Sequence, residues 1–100
     1  DTAVIKGNAA DQGGGVGLYG YGLDIYFYMA GGVIYGNAEG DAASRNTATE
    51  GAALYRMYSY DKAEYGSFNG DTWVKAGDIL PNEHGAYTDD AVRVKNGVLQ

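Results

Sequence analysis

Tyr19, Tyr21, Tyr26, Tyr28, Tyr58 and Tyr60 come in pairs two residues apart. In an extended chain that spacing puts both rings of a pair on one face. A row of exposed tyrosines offers flat apolar rings with hydroxyls at their edges. The C–H faces of sugar rings stack on such surfaces, while sugar hydroxyls bond to nearby Asp, Asn and Gln side chains. Asp24 and Asn37 are expected to supply polar contacts of this kind. The competing reading is that the rings cover the outside of the fold, or pack in an oligomer, for stability alone. Trp73, the single tryptophan, reads as a core or capping residue.

Other chemistry finds little support. His84 stands alone and the chain has no cysteine, so neither a zinc site nor a Cys–His nucleophile is expected. Ser44, Ser59 and Ser67 are the only serines, and none sits in a Gly-x-Ser-x-Gly elbow. Asp89 with Asp90, Asp78 with Glu83, and Glu39 with Asp41 carry oxygens that suit calcium. They lack the spacing of an EF-hand loop and read as solvated turn caps. Gly15-Val16-Gly17-Leu18-Tyr19-Gly20 matches Gly-x-Gly-x-x-Gly, but that motif needs a helix after it, and Gly20 and Gly22 oppose one. A non-catalytic module with no metal and no cofactor is therefore expected, since 100 residues leave little room for a cleft.

The elements that must carry the tyrosines are strands. No window sustains apolar spacing at three and four residues, and glycine, at 17 residues, interrupts nearly all of them. By contrast Ile25, Phe27 and Met29 alternate with Asp24, Tyr26 and Tyr28, and Val92 and Val94 alternate with Arg93 and Lys95. Further strands are expected at Val4–Lys6, Val16–Tyr19, Val33–Tyr35, Ala52–Tyr58, Ala63–Phe68 and Asp71–Lys75, joined by Gly-Asn, Gly-Gly, Asn-Gly and Gly-Asp turns. Ala38–Glu50 is expected to bulge as a polar loop, and Ile79–Asp90 to cross a surface before the last strand. Residues 1–100 form one expected domain, 45% apolar and near the lower size limit for a self-sufficient core.

The formal net charge of −6 and scattered cations speak against nucleic acid as a partner. No apolar run is long enough to span a membrane, so no membrane partner is expected. An acidic surface suits a neutral extracellular ligand. The chain starts inside a pattern at Asp1-Thr2-Ala3-Val4, so it reads as a piece excised or processed from something longer.

One phrase occurs twice: Val4-Ile5-Lys6-Gly7-Asn8-Ala9 and Val33-Ile34-Tyr35-Gly36-Asn37-Ala38, 29 residues apart. A second pair, Gly15-Val16-Gly17-Leu18-Tyr19 and Gly51-Ala52-Ala53-Leu54-Tyr55, repeats at 36. An apolar pair followed by Gly-Asn at such periods points to stacked coils. These pieces, with Gly13-Gly14-Gly15-Val16 and Asn46-Thr47-Ala48-Thr49, resemble the repeats of large surface proteins of spirochaetes and some gut bacteria. Their units read Ile-Ser-Gly-Asn-Thr-Ala followed by Gly-Gly-Gly-Val-Tyr-Val. The ending, Ala63–Gly70 through Arg93–Gln100, is similar to how such arrays finish. The resemblance implies a short right-handed parallel β-helix of about three coils; a small antiparallel β-sandwich is the alternative. It also implies a secreted or cell-surface setting. The expected function is glycan binding, with polysaccharide or a surface glycan as partner and self-association through coil edges. The alternative is a structural or adhesin repeat segment without a small ligand.

Overall fold

A computed structural model describes residues 3–22 and 24–100; the expectation about the chain start at Asp1 and Thr2 lies outside them. Among the described residues ten strands occur: β1 Val4–Ile5, β2 Val16–Leu18, β3 Tyr26–Met29, β4 Gly32–Ile34, β5 Leu54–Arg56, β6 Lys62–Asn69, β7 Thr72–Asp78, β8 Tyr87–Thr88, β9 Val92–Lys95 and β10 Val98–Leu99. They make three sheets, ordered β1-β4-β9-β10, β2-β5-β8 and β3-β6-β7. The only helical turn among the described residues is a 3-10 turn at Ala42–Ser44, capped by the Asp41 carboxylate. The fold is all-β, as the alternation implies.

The repeats do pair with one another. Val4 lies beside Val33 and Ile5 beside Ile34 in parallel. β2 runs parallel to β5, and β3 to β6. The second repeat slips, however: Val16 faces Leu54 and Leu18 faces Arg56, an offset of 38 rather than 36. A slip of two keeps every side chain on its face, so the apolar pattern cannot distinguish the two registers.

Strand direction after β6 overturns the parallel β-helix of about three coils. The chain reverses there, and the third strand of each sheet is antiparallel: β7 on β6, β8 on β5 and β9 on β4. A short turn after β6 starts the reversal locally, and a second one folds β10 back on β9. Asn69 pairs with Thr72 across Gly70-Asp71, and Lys95 pairs with Val98 across Asn96-Gly97. Gly70 (φ 63°), Asn96 (φ 52°) and Gly97 (φ 75°) supply the left-handed conformations that two-residue hairpins require. The result is three small mixed sheets. A small sandwich-like β fold is compatible with them, with parallel pairs in place of a wholly antiparallel pattern.

Inward residues of all three sheets meet in two apolar clusters. Leu18, Leu54, Ala63, Leu80 and Ala86 form one; Met29, Ile34, Ala53, Val92 and Val94 form the other. Val16, Phe27 and Ile79 pack against both and join them. Neither long loop is a simple surface crossing. Ala9 bridges to Thr47 and Gln12 to Glu50, so the end of Ala38–Glu50 is held along the first pass. Ile79–Asp90 contributes Leu80, Ala86 and strand β8 to the interior.

Three of the buried polar side chains tie separate segments together. Asn46 is fully buried; its Nδ2 donates to the Ile5 and Tyr35 carbonyls at 2.9 and 2.7 Å, and its Oδ1 accepts from Asn8 N at 2.9 Å. Asp61, also fully buried, accepts from Gly20 N at 2.9 Å and Ile25 N at 3.2 Å. Arg56 donates to the carbonyls of Pro81 and Glu83 and so anchors that loop. Replacing Asn46 by Ala strands two carbonyls and an amide; we expect a loss of about 3 kcal/mol in urea unfolding. Asn46→Asp should cost at least as much, because it sets a carboxylate oxygen against those two carbonyls. A loss below about 1 kcal/mol would show that the clamp is dispensable.

Candidate functional site on the β3-β6-β7 sheet

The six tyrosines do not form one row. They divide into three groups, because only Tyr26 and Tyr28 lie on a strand, while Tyr19 follows β2 and Tyr21, Tyr58 and Tyr60 lie in turns. Tyr19 follows β2 and packs on Tyr55, with ring centroids 5.6 Å apart, and its hydroxyl donates to the Gln12 carbonyl at 3.0 Å. Tyr58 and Tyr60 stack on each other at 5.2 Å with their planes 4° apart. Tyr21 lies 6.0 Å from Tyr58, and His84 meets Tyr58 edge-on at 5.8 Å. The Tyr60 hydroxyl accepts from Gly22 N at 3.1 Å, so this group buttresses the turn that buried Asp61 also holds.

Tyr26 and Tyr28 are different. Alternation along β3 turns Phe27 and Met29 inward and leaves Tyr26 and Tyr28 exposed, 5.9 Å apart. Tyr28 stacks on Trp73 at 4.6 Å, and Trp73 meets Phe68 edge-on at 5.1 Å. Four rings thus run without a break across the solvent face of the sheet. Trp73 belongs to neither core cluster; it is half-buried among these rings.

The polar atoms of this face are fixed by cross-strand register. Tyr28 lies beside Glu64, and Glu64 beside Asp78. Glu64 is buried; its Oε1 accepts from Trp73 Nε1 at 3.0 Å, and its Oε2 lies 3.6 Å from Lys75 Nζ. Lys75 in turn pairs with Asp78 at 2.9 Å. A bulge between Tyr65 and Gly66 aligns Gly66 with Lys75. No side chain fits at Gly66, since a Cβ there would lie 2.2 Å from the Val74 carbonyl oxygen. The carboxylate of Glu64 therefore holds the tryptophan ring and the lysine together at the centre of the face.

Asp24 is exposed just before β3 and remains a neighbour of the tyrosine pair in the chain. Asn37 does not join them. It follows β4 in another sheet and donates its backbone N–H to Asp89 O at 3.1 Å. Phe68, Glu64, Trp73 and Lys75 were not expected at the site. A signal for two of them was present: Phe68 and Trp73 stand equally far from the Gly70-Asp71 turn, which makes them cross-strand partners in a two-residue hairpin.

The arrangement offers apolar ring surface with carboxylates, an ammonium and phenol hydroxyls at its rim. Among the described residues, no group of three His, Cys, Asp or Glu side chains could hold a metal ion. Desolvation pushes the Tyr19 phenol up, with Tyr55 adding to it; desolvation and then Tyr60 and Tyr21 do the same to Tyr58. The hydrogen bond to Asp78 is the largest cause of a raised Lys75. All three bind protons more tightly folded than unfolded. Their contribution is thus complete below their unfolded values and lost as pH rises through the folded ones. The melting temperature should hold from neutral pH to about 9 and fall above about 10. Absorbance titration should show later phenol ionisation that Tyr19→Phe and Tyr58→Phe remove; a melting curve unchanged to strong alkali would contradict this. No family model, curated protein or solved structure matches the chain.

Proposed function

We propose that the chain is a non-catalytic module that binds a neutral glycan on the β3-β6-β7 face. The observation that carries this reading is the unbroken run Tyr26–Tyr28–Trp73–Phe68, with the Glu64, Lys75 and Asp78 side chains along it. Sugar rings present C–H faces to aromatic rings, and their hydroxyls exchange hydrogen bonds with rim carboxylates and phenols. A neutral polymer suits the face because its cation is already neutralised: Lys75 is held by Asp78 and Glu64. A polysaccharide or surface glycan as ligand fits a secreted or cell-surface protein. Asp24, exposed two residues before Tyr26, is a candidate for a further carboxylate contact.

A second reading is a structural or adhesin segment without a small ligand. It is favoured by β1, β2 and β3, each of which ends its sheet and, among the described residues, leaves its outer edge unpaired. Unpaired edges template strand addition, so self-association through them belongs to this reading. The packing of Tyr19 on Tyr55 and of Tyr58 on Tyr60 serves it as well.

Affinity electrophoresis through gels containing plant and bacterial polysaccharides separates the two. We expect retardation by at least one neutral polymer, reduced about tenfold by Tyr28→Ala, because stacking on one ring is worth about 1 kcal/mol beyond the area it buries. Tyr26→Ala should weaken retention while barely changing the melting temperature, since its ring is half exposed. Tyr21→Ala, at 84% exposure and in another group, should leave retention intact. Uniform migration across the panel would favour the structural reading, and loss on Tyr21→Ala alone would move the site to the Tyr58 group.

A further inference from the structure

The positive charges of this acidic chain are not distributed evenly once their partners are considered. Arg56 is engaged by the Pro81 and Glu83 carbonyls, and Arg45 by the Glu39 and Gly40 carbonyls. Lys62 donates to Ser59 O at 3.0 Å and to Asn82 Oδ1 at 2.8 Å, while Lys75 holds Asp78 and Glu64. The other three are Lys6, Lys95 and Arg93, of which Arg93 is held only loosely. Lys6 and Lys95 make no side-chain hydrogen bond or ion pair to the described residues. Arg93 is 52% exposed and 3.9 Å from Glu39, with its guanidinium 5.5 Å above the Tyr35 ring.

All three lie on or beside the strands of the β1-β4-β9-β10 sheet. Val4, Val33 and Arg93 form one register row across it. Ile5, Ile34, Val92 and Val94 pack into the core below, so the row of Val4 faces solvent, and Lys6 and Lys95 continue that parity. Beside the row lies a groove of about 440 Å³ lined by Val4, Val33, Arg93, Lys95, Asn96 and Gln100. That volume is within the range of small-ligand sites. No acidic side chain among the described residues lines it, although the chain carries 13 acids.

We propose that this groove binds a carboxylate with an apolar tail of medium length, the head between Arg93 and Lys95 and the tail across Val33 and Val4. Consecutive outward residues of one strand stand roughly 6.6 Å apart, a span over which Arg93, swinging off the Tyr35 ring and the weak Glu39 contact, meets Lys95 at one carboxylate. The row from Arg93 to Val4 crosses two strand spacings, roughly 9 to 10 Å, which sets the length of tail that can lie on it. Charge complementarity selects the anion and the valine floor selects the tail. The site is on a different sheet from the aromatic face and is independent of it.

Titration of the intact chain with sodium alkanoates from butanoate to octanoate, followed by amide chemical shifts, tests this. We expect saturable shifts at Val4, Val33, Val94 and Lys95, with affinity rising about two- to fourfold per added methylene. Affinity should fall with salt, and about tenfold in the exposed double variant R93Q/K95Q, whose melting temperature should match the parent. The Tyr28→Ala variant should bind octanoate normally. Equal binding of octanol would overturn the proposal by removing the role of charge. Shifts with polygalacturonate but not with octanoate would overturn it in favour of diffuse polyanion attraction. A salt-sensitive dimer in light scattering, with groove shifts on dilution, would overturn it in favour of a second copy of this chain.

Discussion

The pairing of buried backbone groups is the constraint on which the rest of this structure depends. With short strands and no disulfide, many N–H and C=O groups lie inside or at corners where no ladder continues. Side chains take over there. Asn46 joins the ends of β1 and β4 to the loop before β5, and Asp61 gathers the amides of Gly20 and Ile25 before β3. Both residues are fully buried, and each bonds to more than one backbone group. They fix where one strand stops and the next starts, and hence which side chains line each face.

On that frame the two core clusters remain small, with alanines among their leucines and valines. Small side chains let the sheets approach closely, and glycine extends the same logic at Gly66, where the bulged backbone leaves no room for a Cβ. The bulge shifts the register of β7 on β6 beside the residues where Trp73 lies against Tyr28 and its indole N–H reaches Glu64. A local backbone irregularity thus bears on the chemistry of an outer face, a common use of bulges.

The two outer faces differ in kind. The β3-β6-β7 face carries rings and self-neutralised charges, suited to an uncharged ligand with apolar patches. The β1-β4-β9-β10 face carries valines and the cations that are least engaged elsewhere. An excess of acid over the rest of the chain makes the second face stand out electrostatically, since local potential depends on unpaired charge and not on composition.

All-β character, most strand positions and the parallel pairing of Val4-Ile5 with Val33-Ile34 were legible in the chain, because alternation and repetition are local properties. So was the exposure of Tyr26 and Tyr28, which follows from parity along one strand. The antiparallel return of β7 on β6 was signalled by the Gly70-Asp71 turn; the direction of β8 on β5 and of β9 on β4 was not, since side-chain alternation is the same in parallel and antiparallel partners. Nor was the partition of the tyrosines, which depends on where the strands end and how the turns that carry Tyr21, Tyr58 and Tyr60 pack. The pairing of Phe68 with Trp73 was legible in the Gly70-Asp71 turn, but the packing of Trp73 on Tyr28, the arrival of Glu64 and the departure of Asn37 follow from register and a bulge between strands. Those are set by long-range hydrogen bonds and packing, and no window of neighbouring residues encodes them.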